Sequence, residues 1–195
     1  MKETIRSAIA RRKFIISVPI WTLGTCFSGR VLGQDASAQS PKSLPEELSP
    51  EELKIVEKSV LAKDLPTYFG KGYSCAESLL TVGLRHLKKS EELLWLAAGF
   101  GGGMLHRDVC GFLTGGCMTL GLAAGMLDKE RIEAKEWNKQ MVDAYWTWWT
   151  SQAPLRCADI RKEGTSGRVC RRLGLLAAAK IEELIGPAIP SEQAS

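Results

Sequence analysis

The residues of this 195-residue chain most able to do chemistry are its six cysteines. Cys26 lies in an N-terminal leader and is predicted to be removed with it, which leaves five. None of the five belongs to a C-x-x-C pair or a C-x-x-C-H run, so the sequence lacks thioredoxin-type, zinc-ribbon and covalent haem motifs. The chain has only two histidines, which excludes a His-rich metal site. The five remaining cysteines are Cys75, Cys110, Cys117, Cys157 and Cys170.

Three of these cysteines occupy positions that favour the thiolate form. Cys75 and Cys110 are predicted to lie in the first turn of their helices, where the helix dipole stabilises negative charge. Cys170 has three arginines within two positions of it, and their charges are expected to act in the same direction. Cys117 lies two turns from Cys110 on the same predicted helix, about 10 Å away. We therefore expect Cys117 to be a core residue that does not pair with Cys110.

The segments that carry these cysteines are predicted to be helices. Every strongly patterned segment has helical spacing, and no run alternates with a period of two. Capping boxes at Ser49–Glu52 and Ser74–Glu77 open the first two helices. The sequence predicts an all-α fold, a single compact bundle of about five to six helices. The later helices are predicted at about 90–99, 108–127, 129–152 and 166–185.

The fourth predicted helix is unusually rich in glycine. Between Asp108 and Asp128 the chain has 19 consecutive uncharged residues, a length that raises the question of a membrane span. Five of them are glycines, and pairs of glycines four residues apart allow another helix to approach closely. A helix that is apolar on all sides is usually central in its domain. The sequence therefore favours a Gly-rich central helix over a membrane helix.

The N-terminal segment over 1–38 has the pattern of an export signal. Arg11-Arg12 stands just before an uncharged, moderately apolar stretch over 14–29, and Ala36-Ser37-Ala38 matches a cleavage site. The arginine pair resembles the twin-arginine signal, which implies export of a folded protein to the periplasm or the outer face of the cytoplasmic membrane. The alternatives are an ordinary secretion signal and an uncleaved anchor. The domains that follow are predicted as a linker over 39–48, a helical four-cysteine domain over 49–187 and a tail over 188–195.

The leader also accounts for the positive charge of the chain, which is +4. Of the 26 basic and 22 acidic residues, six and two lie in 1–38, so the remainder holds 20 of each. Binding to a phosphate backbone requires a net basic patch. Nucleic acid is therefore not a predicted partner.

Several segments around the cysteines occur in the order that is typical of a known family. Together they resemble the C_GCAxxG_C_C family of redox-active proteins, and the resemblance extends over about residues 55–185. The segments are Gly72-Tyr73-Ser74-Cys75-Ala76-Glu77-Ser78, Gly99-Phe100-Gly101-Gly102-Gly103-Met104 and Cys110-Gly111-Phe112-Leu113-Thr114-Gly115, followed by Cys157 and Cys170.

The resemblance implies that four cysteines form the functional site: Cys75, Cys110, Cys157 and Cys170. A related domain occurs in split-Soret cytochromes, where the cysteines are associated with a labile iron–sulfur cluster. The chain departs from the family pattern in two ways. Phe112 stands where the family motif has alanine and is expected to crowd the site, and Cys117 is an additional cysteine.

The residues and the resemblance leave three functions open. The first is an electron-transfer protein whose four thiolates bind an iron–sulfur cluster, with [2Fe–2S] favoured over [4Fe–4S]. The second is a metal-free thiol/disulfide redox protein, because a location outside the cytoplasm favours disulfides. The third is a binding or scaffold domain that is stabilised by disulfides or by zinc held by four thiolates.

We expect a redox or electron-transfer protein, or an accessory subunit, rather than a stand-alone enzyme, since no acid/base pair or activated serine is evident. The predicted partner is an oxidoreductase outside the cytoplasm. Membrane contact is predicted only through the signal, and the sequence leaves open whether the domain forms a homodimer.

Two other features are predicted to be structural. The glycines over 99–103 lack a phosphate-binding pattern and are predicted to form a tight loop whose backbone approaches the cysteines. The aromatic run over 145–149 is predicted to pack in the core and partly on the surface.

Overall fold

The computed structural model of this chain describes residues 44–162, 167–186 and 189. Within those residues every regular element is a helix and no strand is present, which confirms the predicted all-α class. The leader with its arginine pair, cleavage site and cysteine lies outside the described residues. So do the first half of the predicted linker and most of the predicted tail. The division into leader, linker, domain and tail therefore stays a prediction.

Seven α-helices lie within the described part of the chain. Compared with the prediction, the first helix is divided in two, the third is a 3-10 segment, and a short additional helix begins at Cys157. The α-helices are α1 (Pro50–Lys58), α2 (Val60–Asp64), α3 (Cys75–His86), α4 (Gly111–Ala124), α5 (Arg131–Gln152), α6 (Cys157–Ile160) and α7 (Gly167–Ile185), and the 3-10 segments are Leu65–Thr67 and Glu91–Phe100.

Both predicted capping boxes are present. The Ser49 hydroxyl accepts the N–H of Glu52 at 3.3 Å, and the Glu52 carboxylate accepts the N–H of Ser49 at 2.9 Å. Ser74 and Glu77 make the same pair of bonds at 3.3 and 2.8 Å. Glu52 also forms an ion pair with Arg172 on α7, whose side chain is only 8% exposed. The cap of α1 therefore also docks that helix on α7.

The first predicted helix is divided at Ser59 because this residue caps a second one. The backbone of Ser59 is extended, and its hydroxyl accepts the N–H of Ala62 at 3.0 Å. The same hydroxyl donates to the carboxylate of Glu182 on α7, which also accepts the N–H of Leu61 at 3.1 Å. Glu182 lies 123 residues further along the chain, so a tertiary contact fixes the start of α2.

Helix α4 is central and contacts α3, α5 and α7. A Cβ atom at Gly115 would lie 2.7 Å from the carbonyl oxygen of Ala76, so only glycine allows α3 to approach this closely. On the facing helix, Gly83 accommodates the side chain of Thr119. The predicted Gly-rich central helix is thus confirmed, with a length of 14 residues. No helix in the described ranges has the length and apolar character needed to cross a membrane.

Helix α5 supplies the largest buried side chains of the core. Tyr145 and Trp149 are fully buried, and the Tyr145 ring stacks against Trp148 with centroids 5.7 Å apart. The Tyr145 hydroxyl donates to the carbonyl oxygen of Phe112 at 3.0 Å, which joins α5 to the first turn of α4. Trp146 remains 42% exposed. The aromatic run therefore packs mainly in the core, as predicted.

Candidate functional site

The four cysteines named by the resemblance line one cavity of about 970 Å³. Each comes from a different element of the fold. Cys75 is the first residue of α3, and Cys110 directly precedes α4. Cys157 is the first residue of α6, and Cys170 lies in the first turn of α7. Four helix starts therefore converge on this cavity.

The capping box at the start of α3 fixes the backbone of Cys75, and a glycine next to its sulfur leaves room for the thiol. The box formed by Ser74 and Glu77 fixes the start of α3. A Cβ atom at Gly111 would collide with the sulfur of Cys75. The glycine that follows Cys110 is therefore required by the neighbouring cysteine, because any side chain there would displace the Cys75 thiol.

Cys110 and Cys157 are joined through the backbone on either side of them. The Cys110 N–H donates to the carbonyl oxygen of Leu155 at 2.9 Å, and the Cys157 N–H donates to that of Asp108 at 2.7 Å. The two short segments run antiparallel. Cys110 is the N-cap of α4 rather than a residue of its first turn, so the predicted start of this helix near 108 is wrong by three residues.

The glycine-rich loop before α4 packs against Cys157. Gly102 and Gly103 have φ values of 60° and 73°, and a Cβ atom at Gly103 would lie 2.7 Å from the Cβ of Cys157. The left-handed turn continues through Met104 and Leu105, at φ values of 54° and 61°. This turn prevents α4 from starting earlier. The predicted loop over 99–103 is confirmed only from Gly101 onward, because Gly99 and Phe100 belong to the 3-10 segment. The contact of its amides with sulfur stays a prediction.

The fold opposes ionisation of three of the four thiols. Burial raises the pKa of Cys110 well above its ordinary value, although the N–H groups of Phe112 and Leu113 lower it in part. Burial also raises the pKa of Cys157 and of Cys170. The predicted stabilisation of the thiolate at Cys110 and Cys170 is therefore wrong, because desolvation exceeds the favourable electrostatics.

Among the described residues that line the cavity, the charged side chains are all basic and none is Asp, Glu or His. Arg168 and Arg171 were noted in the sequence, whereas Lys71 and Arg161 were missed. Arg161 lies four residues after Cys157, so the spacing of one helical turn was a signal that could have found it. Lys71 lies in a turn before α3, and no local pattern connects it to the cysteines.

Residues 73–184 match the family described as "Putative redox-active protein (C_GCAxxG_C_C)", which is more than half of the chain. The chain belongs to the C_GCAxxG_C_C family. Comparisons with curated proteins and with solved structures give no match. Family membership supports a redox role.

The additional cysteine of this C_GCAxxG_C_C protein is separate from the other four. Cys117 lies in the middle of α4, does not line the cavity, and packs half-buried against the core. Burial raises its pKa to about 11. The prediction that Cys117 is a packing residue is therefore confirmed.

The other departure from the C_GCAxxG_C_C pattern is accommodated by the fold. Phe112 lines the cavity but is only 1% exposed, and its ring lies 5.0 Å from that of Phe69. Gly174 on α7 provides the space, since a Cβ atom there would lie 2.5 Å from the Phe112 ring. Phe112 thus forms part of the cavity wall.

Proposed function

We propose that this protein is an exported electron-transfer protein that binds an iron–sulfur cluster through four cysteines: Cys75, Cys110, Cys157 and Cys170. The observation that carries the proposal is the convergence of these four thiols on one cavity, while Cys117 lies elsewhere. The four side chains come from elements far apart in sequence, which suits clusters because they accept ligands scattered along a chain. The smaller [2Fe–2S] cluster is the favoured form.

The donor set fits a cluster better than a single metal ion. Among the described residues that line the cavity, Cys is the residue type that commonly binds metals, and iron–sulfur clusters are held by cysteine thiolates. In the described ranges, no three His, Cys, Asp or Glu side chains are placed to hold one metal ion. A structural zinc needs its sulfurs about 2.3 Å from a common centre. Iron–sulfur clusters accept thiolates that come from separate chain segments, as these four do.

The residues around the thiols support the same function. Bound iron and sulfide would supply the uptake and release of one electron. Backbone hydrogen bonds of Cys110 and Cys157 keep their side chains at fixed positions, and burial of Cys110 excludes water from that side. Arg161 places a positive charge near Cys157 and Cys170, which stabilises thiolate ligands. Loading the protein would release protons, because thiols bind metals as thiolates.

Metal-free thiol chemistry is less well supported. The thiolate is the nucleophile in thiol–disulfide exchange, so redox-active dithiols have lowered pKa values. Burial raises the pKa of three of the four cavity thiols in this protein. These thiols are therefore poor nucleophiles at neutral pH in the metal-free protein.

The proposal is tested by anaerobic purification followed by measurement of iron, acid-labile sulfide and visible absorption. We expect Cys110→Ser and Cys170→Ser to lose most of the iron, and the matched control Cys117→Ser to retain it. A colourless, iron-free protein whose free thiols disappear in air would instead establish the dithiol. Bound zinc without any redox change would establish a structural site.

The export part of the proposal rests on the leader sequence. We expect Arg11→Lys combined with Arg12→Lys to stop export, because the twin-arginine route reads the arginine pair. Cell fractionation followed by N-terminal sequencing tests this, with Gln39 as the expected mature N-terminus. Unchanged export of the double variant would reject the twin-arginine route. An exported protein would exchange electrons with an oxidoreductase outside the cytoplasm.

A further inference from the structure

The described residues that line the cysteine cavity carry positive charge. Among them the charged side chains are Lys71, Arg161, Arg168 and Arg171, and none is a carboxylate. Arg168 forms an ion pair with Glu46 at 3.1 Å. Within the described ranges no ion pair joins the other three to an acidic side chain. Uncompensated positive charge in a concave site attracts anions.

One of these cations is fixed close to the thiols. The positive charge of Arg161 partly offsets the effect of burial on the pKa of Cys157 and of Cys170. Its backbone N–H donates to the carbonyl oxygen of Cys157 at 2.8 Å, and its own carbonyl oxygen accepts a hydrogen bond from Arg107. Arg161 is therefore held at the edge of the cavity by both of its backbone polar groups.

The cavity is larger than a small iron–sulfur cluster bound to the four cysteines would require. Its volume of about 970 Å³ lies at the upper end of the range of roughly 300–1,000 Å³ for small-molecule sites. Two irons and two sulfides would fill only a small part of it. The remaining wall is apolar, and its half-buried side chains are Pro66, Phe69 and Leu175. An inorganic anion would leave these side chains in contact with water.

We propose that this cavity binds a small organic anion next to the four cysteines. An apolar, ring-sized body would pack against Pro66, Phe69 and Leu175. An acidic group, such as a carboxylate, sulfonate or phosphate, would bind Arg161 and Arg171. The site depends on the cavity and its charges, and does not require iron.

The proposal is tested on the purified full-length protein with two fluorescent probes that differ in one charge. The first is 1-anilinonaphthalene-8-sulfonate, and the second is N-phenyl-1-naphthylamine, which has the same rings without the sulfonate. For Arg161→Gln and Arg171→Gln we expect the Kd of the sulfonate to rise roughly threefold each, and roughly tenfold in the double variant. The neutral probe and the control Arg131→Gln, an exposed arginine on α5, should show no change.

Two further measurements place the probe and define its class. Bound sulfonate should slow iodoacetamide labelling of the cavity cysteines but not of Cys117, which lies outside the cavity. Benzenesulfonate should displace the probe at lower concentration than inorganic sulfate. Equal potency of the two competitors, or an unchanged Kd in the double variant, would overturn the proposal.

This proposal can fail independently of the proposed cluster. Iron and acid-labile sulfide are therefore measured on the same preparation as probe binding. An iron-free protein that binds the sulfonate through Arg161 and Arg171 would reject the cluster and support the anion site. An iron-loaded protein that binds the sulfonate equally well with and without the two arginines would support the cluster and reject the anion site.

Discussion

Cys110 and Cys117 lie on the same helix, two turns apart, but in two different environments. Cys110 caps α4 at the point where the starts of α3, α6 and α7 bring three further thiols to one cavity. Cys117 lies in the middle of α4, beside the glycine that packs against Tyr145. Both thiols have a raised pKa because of burial. Convergence with other chain segments, rather than burial, therefore distinguishes a candidate ligand from a packing cysteine.

The largest effect is expected from Gly111→Ala at the cavity end of α4. The added methyl group would collide with the sulfur of Cys75, so the thiol must move out of its position. We expect the variant to lose most of its iron, and overpacking to lower the free energy of unfolding by about 1–3 kcal/mol. Iron per folded protein and urea unfolding measure the two effects. A variant with full iron content would show that iron binding does not depend on the position of the Cys75 thiol.

The need for glycine at position 111 shows which features the sequence could predict and which it could not. The capping boxes at Ser49 and Ser74 depend on residues three positions apart, so local pattern located both helix starts. The four site cysteines came from family resemblance, which no spacing rule would have supplied. The contact of Gly111 with Cys75 joins residues on two different helices, and only the fold reveals it.

The features that sequence analysis missed depend on tertiary context. The break at Ser59 requires Glu182 from the far end of the chain. The left-handed turn through Met104 and Leu105 involves side chains that ordinarily favour a right-handed helix. The direction of the pKa shift at Cys170 depends on how deeply the thiol is buried, which neighbouring arginines in the sequence cannot reveal.

A second effect concerns the reactivity of Cys117. With its pKa raised from 9.0 to about 11, the thiolate fraction at neutral pH falls roughly a hundredfold. We expect iodoacetamide to label Cys117 about that much more slowly in the folded protein than in urea. The folded rate should rise roughly tenfold per pH unit until the pH approaches the pKa. Mass spectrometry of the labelled peptide measures this.

Iron removal provides the comparison with the cavity thiols. If the cavity holds the proposed cluster, a chelator should increase the labelling of Cys170, because iron would no longer cover its sulfur, and leave that of Cys117 unchanged. Labelling of Cys117 that responds to the chelator would place it among the ligands and remove the distinction between the two regions.

Gly116→Ala tests the middle of α4 for stability alone. The new methyl group would collide with the buried ring of Tyr145, so we expect the free energy of unfolding to fall by about 1–3 kcal/mol. The iron bound per folded molecule should not change, because position 116 does not line the cavity. Loss of iron together with stability would mean that the two regions of α4 are coupled through the helix.

Gly121→Ala is the control for both glycine variants, and its expected effect is the smallest. Position 121 lies on the same helix, is exposed, and would place its Cβ atom with nothing within 4 Å. Alanine loses less conformational freedom than glycine when a helix forms, so we expect a gain of about 0.5–1 kcal/mol and unchanged iron. If urea unfolding instead showed a loss, any added side chain would weaken α4, and the losses at Gly111 and Gly116 could not be assigned to Cys75 and Tyr145. A gain at Gly121 makes those two contacts the specific causes.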